Sequence, residues 1–326
     1  MPLFNQYHYE PLCREDAVRL ILLNPAKYQT APLRCSITQH CRSTQLEDYA
    51  AVSYAWGRCE LSRTLEIGWD DVSYLRITPN VDALLRVLRT PNEPRYLWID
   101  AICLNQDDET EKAQQIPRMR RIYAEAKEVH IWPGLEDDMT AKLFTFFRKA
   151  NQLREAKQQE MASRMAHPMR KVLHDKYDGS GPRTIVNFFN RPWFSRRWVI
   201  QEACLANRGT VHCGKYSIPL PVVTLAAARF QSLDMSSYTI KMATNLGLST
   251  AELSLLDLVW TFHEADCLEP KDRIAALLGL LPLEQPFHLD YAVHWTELYK
   301  QAASSILEHG DNNTKLQMML HLIEFG

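Results

Sequence analysis

Three short runs of this chain are apolar on both faces: Tyr49–Tyr54 (YAAVSY), Arg95–Asp100 (RYLWID) and Glu128–Trp132 (EVHIW). A strand with one wet face alternates, whereas a strand covered on both faces reads as a continuous apolar run, as in parallel sheets. Between the first two lies Pro79–Leu88 (PNVDALLRVL), with Pro in the first turn and Val81, Leu84, Leu85 and Leu88 at helical spacing. Between the second and third, AICLNQDDETEKAQQ reads as a loop feeding a helix. Asp107, Asp108 and Glu109 favour its N-terminus, and Ile116, Met119, Tyr123 and Ala126 make one apolar stripe. Pro117 should kink or divide that helix. Strand, helix, strand, helix, strand predicts an α/β domain: a parallel sheet flanked by helices. Ligands of such sheets bind beyond the carboxyl ends of the strands, here Ser53–Arg58, Asp100–Asp107 and Trp132–Gly134.

The rest of the chain adds to this core. Ala17–Leu23 has the apolar character of a buried strand, and Leu33–Ile37 is a second short apolar piece. Residues 135–190 differ in kind: Lys142–Glu155 and Gln158–Lys176 read as charged helices with solvated faces, and Asp178–Pro182 (DGSGP) as a flexible break. Thr210–Cys213 is a fourth short strand turning at Gly214. Helices follow at Val222–Gln231, Ser254–Phe262, Asp272–Leu281 and Trp295–Glu308.

Composition narrows the function classes. With 326 residues, 46% hydrophobic and a net charge of −2, the chain has ample core and no basic surplus to attract nucleic acid. Its eight cysteines show no CxxC pair, and MPLFNQYHYEPLC lacks the basic and apolar regions of a signal peptide. No apolar run reaches the length of a membrane span. A cytoplasmic protein with reduced thiols is therefore expected. Met1 reads as a native start and HLIEFG as no natural stop, which leaves room for a longer parent protein. Neither a P-loop nor a GxGxxG fingerprint is present, and no cysteine–histidine spacing matches a zinc pattern, so no metal is expected.

The stretch Arg191–Ala206 (RPWFSRRWVIQEACLA) holds the residue most in need of explanation. Pro192 and Ser195 predict a helix from Arg196, with Ser195 as N-cap and Phe194 and Val199 as a hydrophobic staple. Trp198, Val199, Ile200, Ala203, Cys204 and Leu205 wrap nearly its whole circumference, the pattern of a buried helix. Glu202 then lies among Trp198, Val199, Leu205 and Ala206, and a buried carboxylate is costly unless paired or put to use.

Five ordered blocks carry a resemblance. SYAWG (53–57), LWIDAICLNQDD (97–108), IYAEAKEVHIWPG (122–134), RPWFSRRWVIQEACLA (191–206) and CLEPKDRIAALLGLLP (267–282) resemble the fungal heterokaryon-incompatibility (HET) domain. YHYEPLC (7–13) and DYAVHWTELY (290–299) are similar to its flanks, while Pro117 and Ala203 depart from its pattern. The resemblance implies a single HET domain over 1–326: a TIR-like (flavodoxin-like) core at about 45–134 and 188–216, a helical insertion at 135–187, and a helical C-terminal part at 217–326. HET domains are regarded as distant relatives of TIR domains. Ser53–Tyr54 is similar to the serine-aromatic pair ending the first TIR strand, and Asp100 to the aspartate entering the BB loop. Trp198 and Glu202 match the spacing of the TIR motif whose glutamate is catalytic in members that cleave NAD. On this reading SYAWG, WIDAICLNQ and RPWFSRRWVIQEACLA form three sides of a cleft.

The resemblance implies NAD or a related nucleotide as substrate and no metal, with a role in incompatibility-triggered cell death and innate immunity. Glu202 would be the catalytic carboxylate, stabilising positive charge as the nicotinamide–ribose bond breaks. The alternative is a buried glutamate neutralised by an arginine such as Arg197. Asp100 would bind ribose or order its loop, or cap the following turn. Tyr54 and Trp56 would stack on a ring of the nucleotide, or be core aromatics beside the turn at Gly57. Ser53, Gly57 and Trp198 would also bind the nucleotide, and Asn105 and Gln106 are ligand contacts or loop fasteners. Cys103, at the head of a helix, is a candidate thiol nucleophile or a buried cysteine. Trp193 and Trp198, flanking Arg196 and Arg197, read as core anchors. The competing function is a non-catalytic module that self-associates or binds other signalling proteins.

Overall fold

The three apolar runs are strands, and all three meet in one sheet. The computed structural model describes residues 5–41, 48–57, 60–153, 158–173, 180–231, 237–250, 253–281, 291 and 293–309. These fall into two units: Met1–Gln115, Ile122–Ala141 and Ala206–Leu220 make the first, and Ile116–Arg121, Lys142–Leu205 and Pro221–Gly326 the second. Arg58, Asp178, Gly179, Pro282, Asp290 and Ala292, which the sequence motifs include, and the expected ends of the two charged helices lie outside the described residues.

The first unit is built on a nine-stranded sheet. Its strands are β1 (Ala17–Leu23), β2 (Arg34–Cys41), β3 (Ala50–Tyr54), β4 (Arg63–Ile67), β5 (Ser73–Ile77), β6 (Arg95–Trp98), β7 (Glu128–Gly134), β8 (Gly209–Cys213) and β9 (Tyr216–Pro219). They lie in the order β5-β4-β2-β1-β6-β3-β7-β8-β9. β3 pairs in parallel with β6 and β7, and β7 in parallel with β8. Around this centre the sheet is mixed, which corrects the expectation of a parallel sheet. β1 runs antiparallel to both β6 and β2, and β4–β5 and β8–β9 are antiparallel hairpins. Burial explains the difference: the apolar run of β1 reports that it is covered, not which way it points.

Within the parallel centre the second strand in sequence lies beside the first, the first beside the third, and the third beside the fourth. Strand order therefore reverses at β3, and the first and third strands flank the reversal. The helix Pro79–Leu88 begins on a Thr78 cap, whose Oγ1 accepts from Val81 N at 3.2 Å, and buries Val81, Leu84, Leu85 and Leu88. Pro117 divides its helix as expected: α-helix over Glu109–Gln115, a 3-10 turn at Ile116–Arg118, and α-helix again over Met119–Glu125.

The second unit is helical among its described residues. Its helices include Gln158–Leu173, Ser180–Phe189, Trp198–Cys204, Tyr238–Asn245, Leu255–Thr261, Asp272–Leu278 and Trp295–His309. Ser180–Pro182, read from sequence as part of a break, is instead a helical first turn, where proline is tolerated. Phe147, Phe188, Phe189, Phe194 and Trp193 form a continuous aromatic cluster, with Phe188–Phe194 ring centroids 5.3 Å apart and Trp193–Phe194 4.9 Å apart. The helix at Leu255 starts on a capping box in which Ser254 and Asp257 exchange hydrogen bonds. Among the described residues no helix is long and apolar enough to cross a membrane.

Candidate functional site

The first part of the site grows from the end of β3. Ser53 and Tyr54 are buried there, Trp56 is half-buried, and Gly57 turns the chain out with φ +69°. Asn80, in the first turn of Pro79–Leu88, fixes this turn. Its Nδ2 donates to Ala55 O at 2.7 Å, and its Oδ1 accepts from Trp132 Nε1 at 2.8 Å. One amide thus ties the end of β3 to β7. Sequence reasoning passed over Asn80; its signal is an amide in the first turn of an otherwise apolar helix.

The second part follows β6. Asp100 opens a four-residue helix, Asp100–Cys103, rather than ending the strand, which stops at Trp98. Its Oδ1 accepts from Ala101 N at 2.7 Å and its Oδ2 from Trp56 Nε1 at 2.7 Å. The first bond is the local turn expected of an aspartate here, and the second joins the motif after β3 to the motif after β6. Gln106 Nε2 closes the loop onto Asp100 O at 2.8 Å. Asn105 fastens the loop as well: its Oδ1 accepts from Asp107 N at 3.2 Å, and its own N–H donates to Glu111 Oε1 at 2.9 Å.

Glu111 has a larger task. Both its oxygens accept from Arg19 of β1, at 2.5 and 2.9 Å, with the two side chains 1% and 7% exposed. Arg19 also donates to Cys103 O at 3.2 Å and to Glu10 O at 2.6 Å, and packs 5.1 Å from the Tyr9 ring centre. Tyr9 Oη donates to Ile102 O at 2.9 Å. The loop after β6 is therefore braced from behind by β1 and the N-terminal segment. Arg19 was visible in sequence only as the one charge inside an apolar strand. Cys103 is no nucleophile in this setting. It is 1% exposed at the end of its short helix, and burial pushes its thiol up to about 12.

Glu202 and Trp198 lie in the second unit. Their helix runs Trp198–Cys204 and buries Val199, Ile200, Gln201, Glu202 and Ala203. It starts two residues later than the sequence predicts, and Ser195 is not its N-cap. Arg197 N donates to Asp266 O at 2.8 Å and Asp266 N to Ser195 O at 2.7 Å, a bridge that holds Arg196 extended. The staple register of Phe194 and Val199 is lost with that start, although both residues are fully buried. Arg197 directs its Nε to Arg273 O at 2.9 Å and its Nη1 to Phe262 O at 2.5 Å, and burial lowers its pKa to about 10. Trp198 hydrogen-bonds the Asp272 carboxylate, which also accepts from Tyr291 Oη at 2.6 Å. Burial raises the pKa of Asp272 and these two donors oppose the rise. Nothing in the local sequence around Trp198 marks Asp272 as its partner. Glu202 itself is 3% exposed.

Residues 49–202 match the family model described as heterokaryon incompatibility protein (HET). Over that stretch the chain is similar to HET domains. It is also 30% identical over 246 residues to a curated relative, "Heterokaryon incompatibility protein 6, OR allele" of Neurospora crassa. That likeness covers 64% of this chain but only 35% of the relative's length. No solved structure matches.

The HET match opens at Tyr49, just before β3, and closes at Glu202, so every candidate residue of the strand ends and of the Glu202 helix lies inside it. Arg19 and Asp272, which hold the loop after β6 and Trp198 respectively, lie outside it. His212 and Cys213 lie at the end of β8, and Cys204 ends the Trp198 helix. His212 Nε2 is 3.1 Å from His130 Nδ1, Cys213 Sγ is 3.4 Å from Leu135 O, and burial pushes Cys204 up to about 12. Among the described residues no three potential metal ligands converge.

Proposed function

We propose that this chain carries a HET domain, a TIR-like NAD-cleaving module that acts, when assembled, in incompatibility-triggered cell death and innate immunity in the cytoplasm. The observation that carries the reading is the position of Ser53–Gly57 and Asp100. Ser53 and Tyr54 end β3, Ala55–Gly57 follow it and Asp100 follows β6, next to the strand-order reversal, the place where doubly wound sheets receive nucleotides. Ser53, Tyr54, Trp56, Gly57, Asp100 and Asn105 make the nucleotide-binding side. Glu202, with Trp198 beside it on the helix, supplies the carboxylate. Nicotinamide leaves NAD as a neutral group from a cationic precursor, so no general acid is required. A carboxylate held in a low-dielectric setting stabilises the oxocarbenium-like ribose that remains.

A second reading rests on a specific observation. Both oxygens of Asp100 already accept hydrogen bonds from within the chain, and Trp198 is tied to Asp272. That is how residues behave in a signalling and self-association module whose motifs serve the core. Nicotinamide release from purified protein, clustered artificially and supplied with NAD, separates the two. The catalytic reading expects release by wild type and its loss in Glu202→Gln. Equal release from both removes Glu202 as the catalytic carboxylate, and no release from a demonstrably assembled wild type leaves the non-catalytic module.

A further inference from the structure

Two thiols at the rim of the first unit stand in contact. Cys13 is exposed, Cys41 ends β2 half-buried, and their sulfurs are 3.7 Å apart without a covalent bond. Their meeting is arranged by Gln39 of β2, which holds the N-terminal segment at two points. Cys13 N donates to Gln39 Oε1 at 2.8 Å, and Gln39 Nε2 donates to Pro11 O at 2.9 Å. The other described thiols are placed differently: Cys35, Cys103 and Cys213 are buried, and Cys204 and Cys267 are half-buried. Burial raises the pKa of Cys35, Cys103 and Cys204, which keeps them protonated and slow to react.

We propose that Cys13 and Cys41 are a peroxide-oxidisable dithiol whose disulfide fastens the N-terminal segment to β2. The exposed Cys13 thiolate attacks one oxygen of a hydroperoxide. The O–O bond breaks, Cys13 becomes a sulfenic acid, and the other oxygen leaves as water or an alcohol after taking up a proton. Cys41, whose thiol the contact with Cys13 holds above its ordinary pKa, gives up its proton as its sulfur attacks the sulfenic sulfur; the S–S bond forms, and the sulfenic oxygen takes up that proton and departs as water. Two thiols lose two electrons and two protons in all, and one peroxide is reduced. The sulfurs must close from 3.7 Å to the bonded distance of about 2.05 Å, which side-chain rotation and a small shift of the segment supply.

The bond would act beyond its own position. The segment it fastens carries Tyr9, which holds Ile102 O, and Glu10, whose carbonyl accepts from Arg19. Fastening Cys13 therefore secures the brace behind the loop that follows β6. The inference needs no assumption about NAD.

The test uses the whole wild-type chain, exposed to limiting hydrogen peroxide, blocked with an alkylating reagent and mapped by mass spectrometry without reduction. The expected result is a cross-linked peptide joining Cys13 to Cys41, lighter by two hydrogens, formed before any other cysteine is oxidised and released by dithiothreitol. Amide exchange should slow across residues 9–13 in the oxidised chain, and Cys41→Ser should abolish both the cross-link and the slowing. Separate over-oxidation of Cys13 and Cys41 without a cross-link, or first formation of a different disulfide, would overturn the proposal. Because the wild type supplies the deciding map, a poorly folded variant does not blunt the test.

Discussion

The indole Nε1 of Trp56 donates to Oδ2 of Asp100 at 2.7 Å, and this bond joins the turn after β3 to the loop after β6. An indole donor on a carboxylate is a charge-assisted hydrogen bond, so its removal leaves a half-buried oxygen short of a partner. Trp56→Phe should lower stability by about 1.5–3 kcal/mol, read as a shift in urea midpoint at unchanged m-value. Asp100→Asn, which can keep an acceptor oxygen, should cost less. Equal midpoints for wild type and Trp56→Phe would show that the bond contributes nothing.

The Arg19–Glu111 pair makes a larger prediction. Removing one member of a buried pair strands the other, a loss of about 3–5 kcal/mol. Arg19→Met should therefore unfold at markedly lower denaturant than wild type, and Arg19→Met with Glu111→Leu should recover much of the loss. If the double variant is no better than the single one, the brace acts through the Cys103 and Glu10 carbonyls rather than through the ion pair.

A pH effect follows from the two histidines of β7 and β8. Burial lowers both from an ordinary 6.5 to about 4; nearby Arg95 adds to the lowering at both sites, and at His212 the His130 ring does too while Glu128 opposes it. Between those values the unfolded chain binds the protons that the folded chain refuses, so stability falls as pH drops from about 6.5 towards 4. The slope is at most about 1.4 kcal/mol per pH unit for each histidine. Unfolding midpoints at pH 7 and pH 5 should differ less in His130→Gln than in wild type. An unchanged difference would assign the acid sensitivity to other groups.

Gly279 offers a probe beside Glu202. A Cβ built there would come within 1.7 Å of Gln201 Nε2, although the backbone at φ −63° would accept any residue. Gly279→Ala must displace a buried amide, at a cost of about 1–3 kcal/mol. Shortening the neighbour as well, in Gly279→Ala with Gln201→Ala, should return part of it. Thermal unfolding of the wild type and the two variants decides whether the contact is as tight as the geometry implies.

How much of this was legible in sequence depended on what each residue had to reveal. Pro79–Leu88 kept its bounds because cap, proline and apolar spacing all agree. β4 (RTLEI) and β5 (SYLRI) were missed because their charges interrupt the apolar pattern, as partly exposed strands near a sheet edge permit. β9 ends in Pro219, which argues against a central strand but suits the edge it occupies. In the site, Asp100 and Trp56 stood out by residue type, whereas Arg19, Asn80 and Asp272 act through partners 84, 25 and 74 positions away, separations that no local pattern records. The late start of the Trp198 helix has the same origin, since Asp266 holds Arg196 extended from well outside the motif.

The HET match covers 49–202, yet β3, β6 and β7 are flanked by strands on either side of that range. A fragment cut at those limits would keep β6 without β1 and β7 without β8. Both bared edges belong to strands rich in Tyr, Trp, Val and Ile, and such edges recruit other chains through their unpaired backbone groups. Clumping of a minimal HET fragment would therefore report severed strand pairing, and would be easily mistaken for physiological assembly.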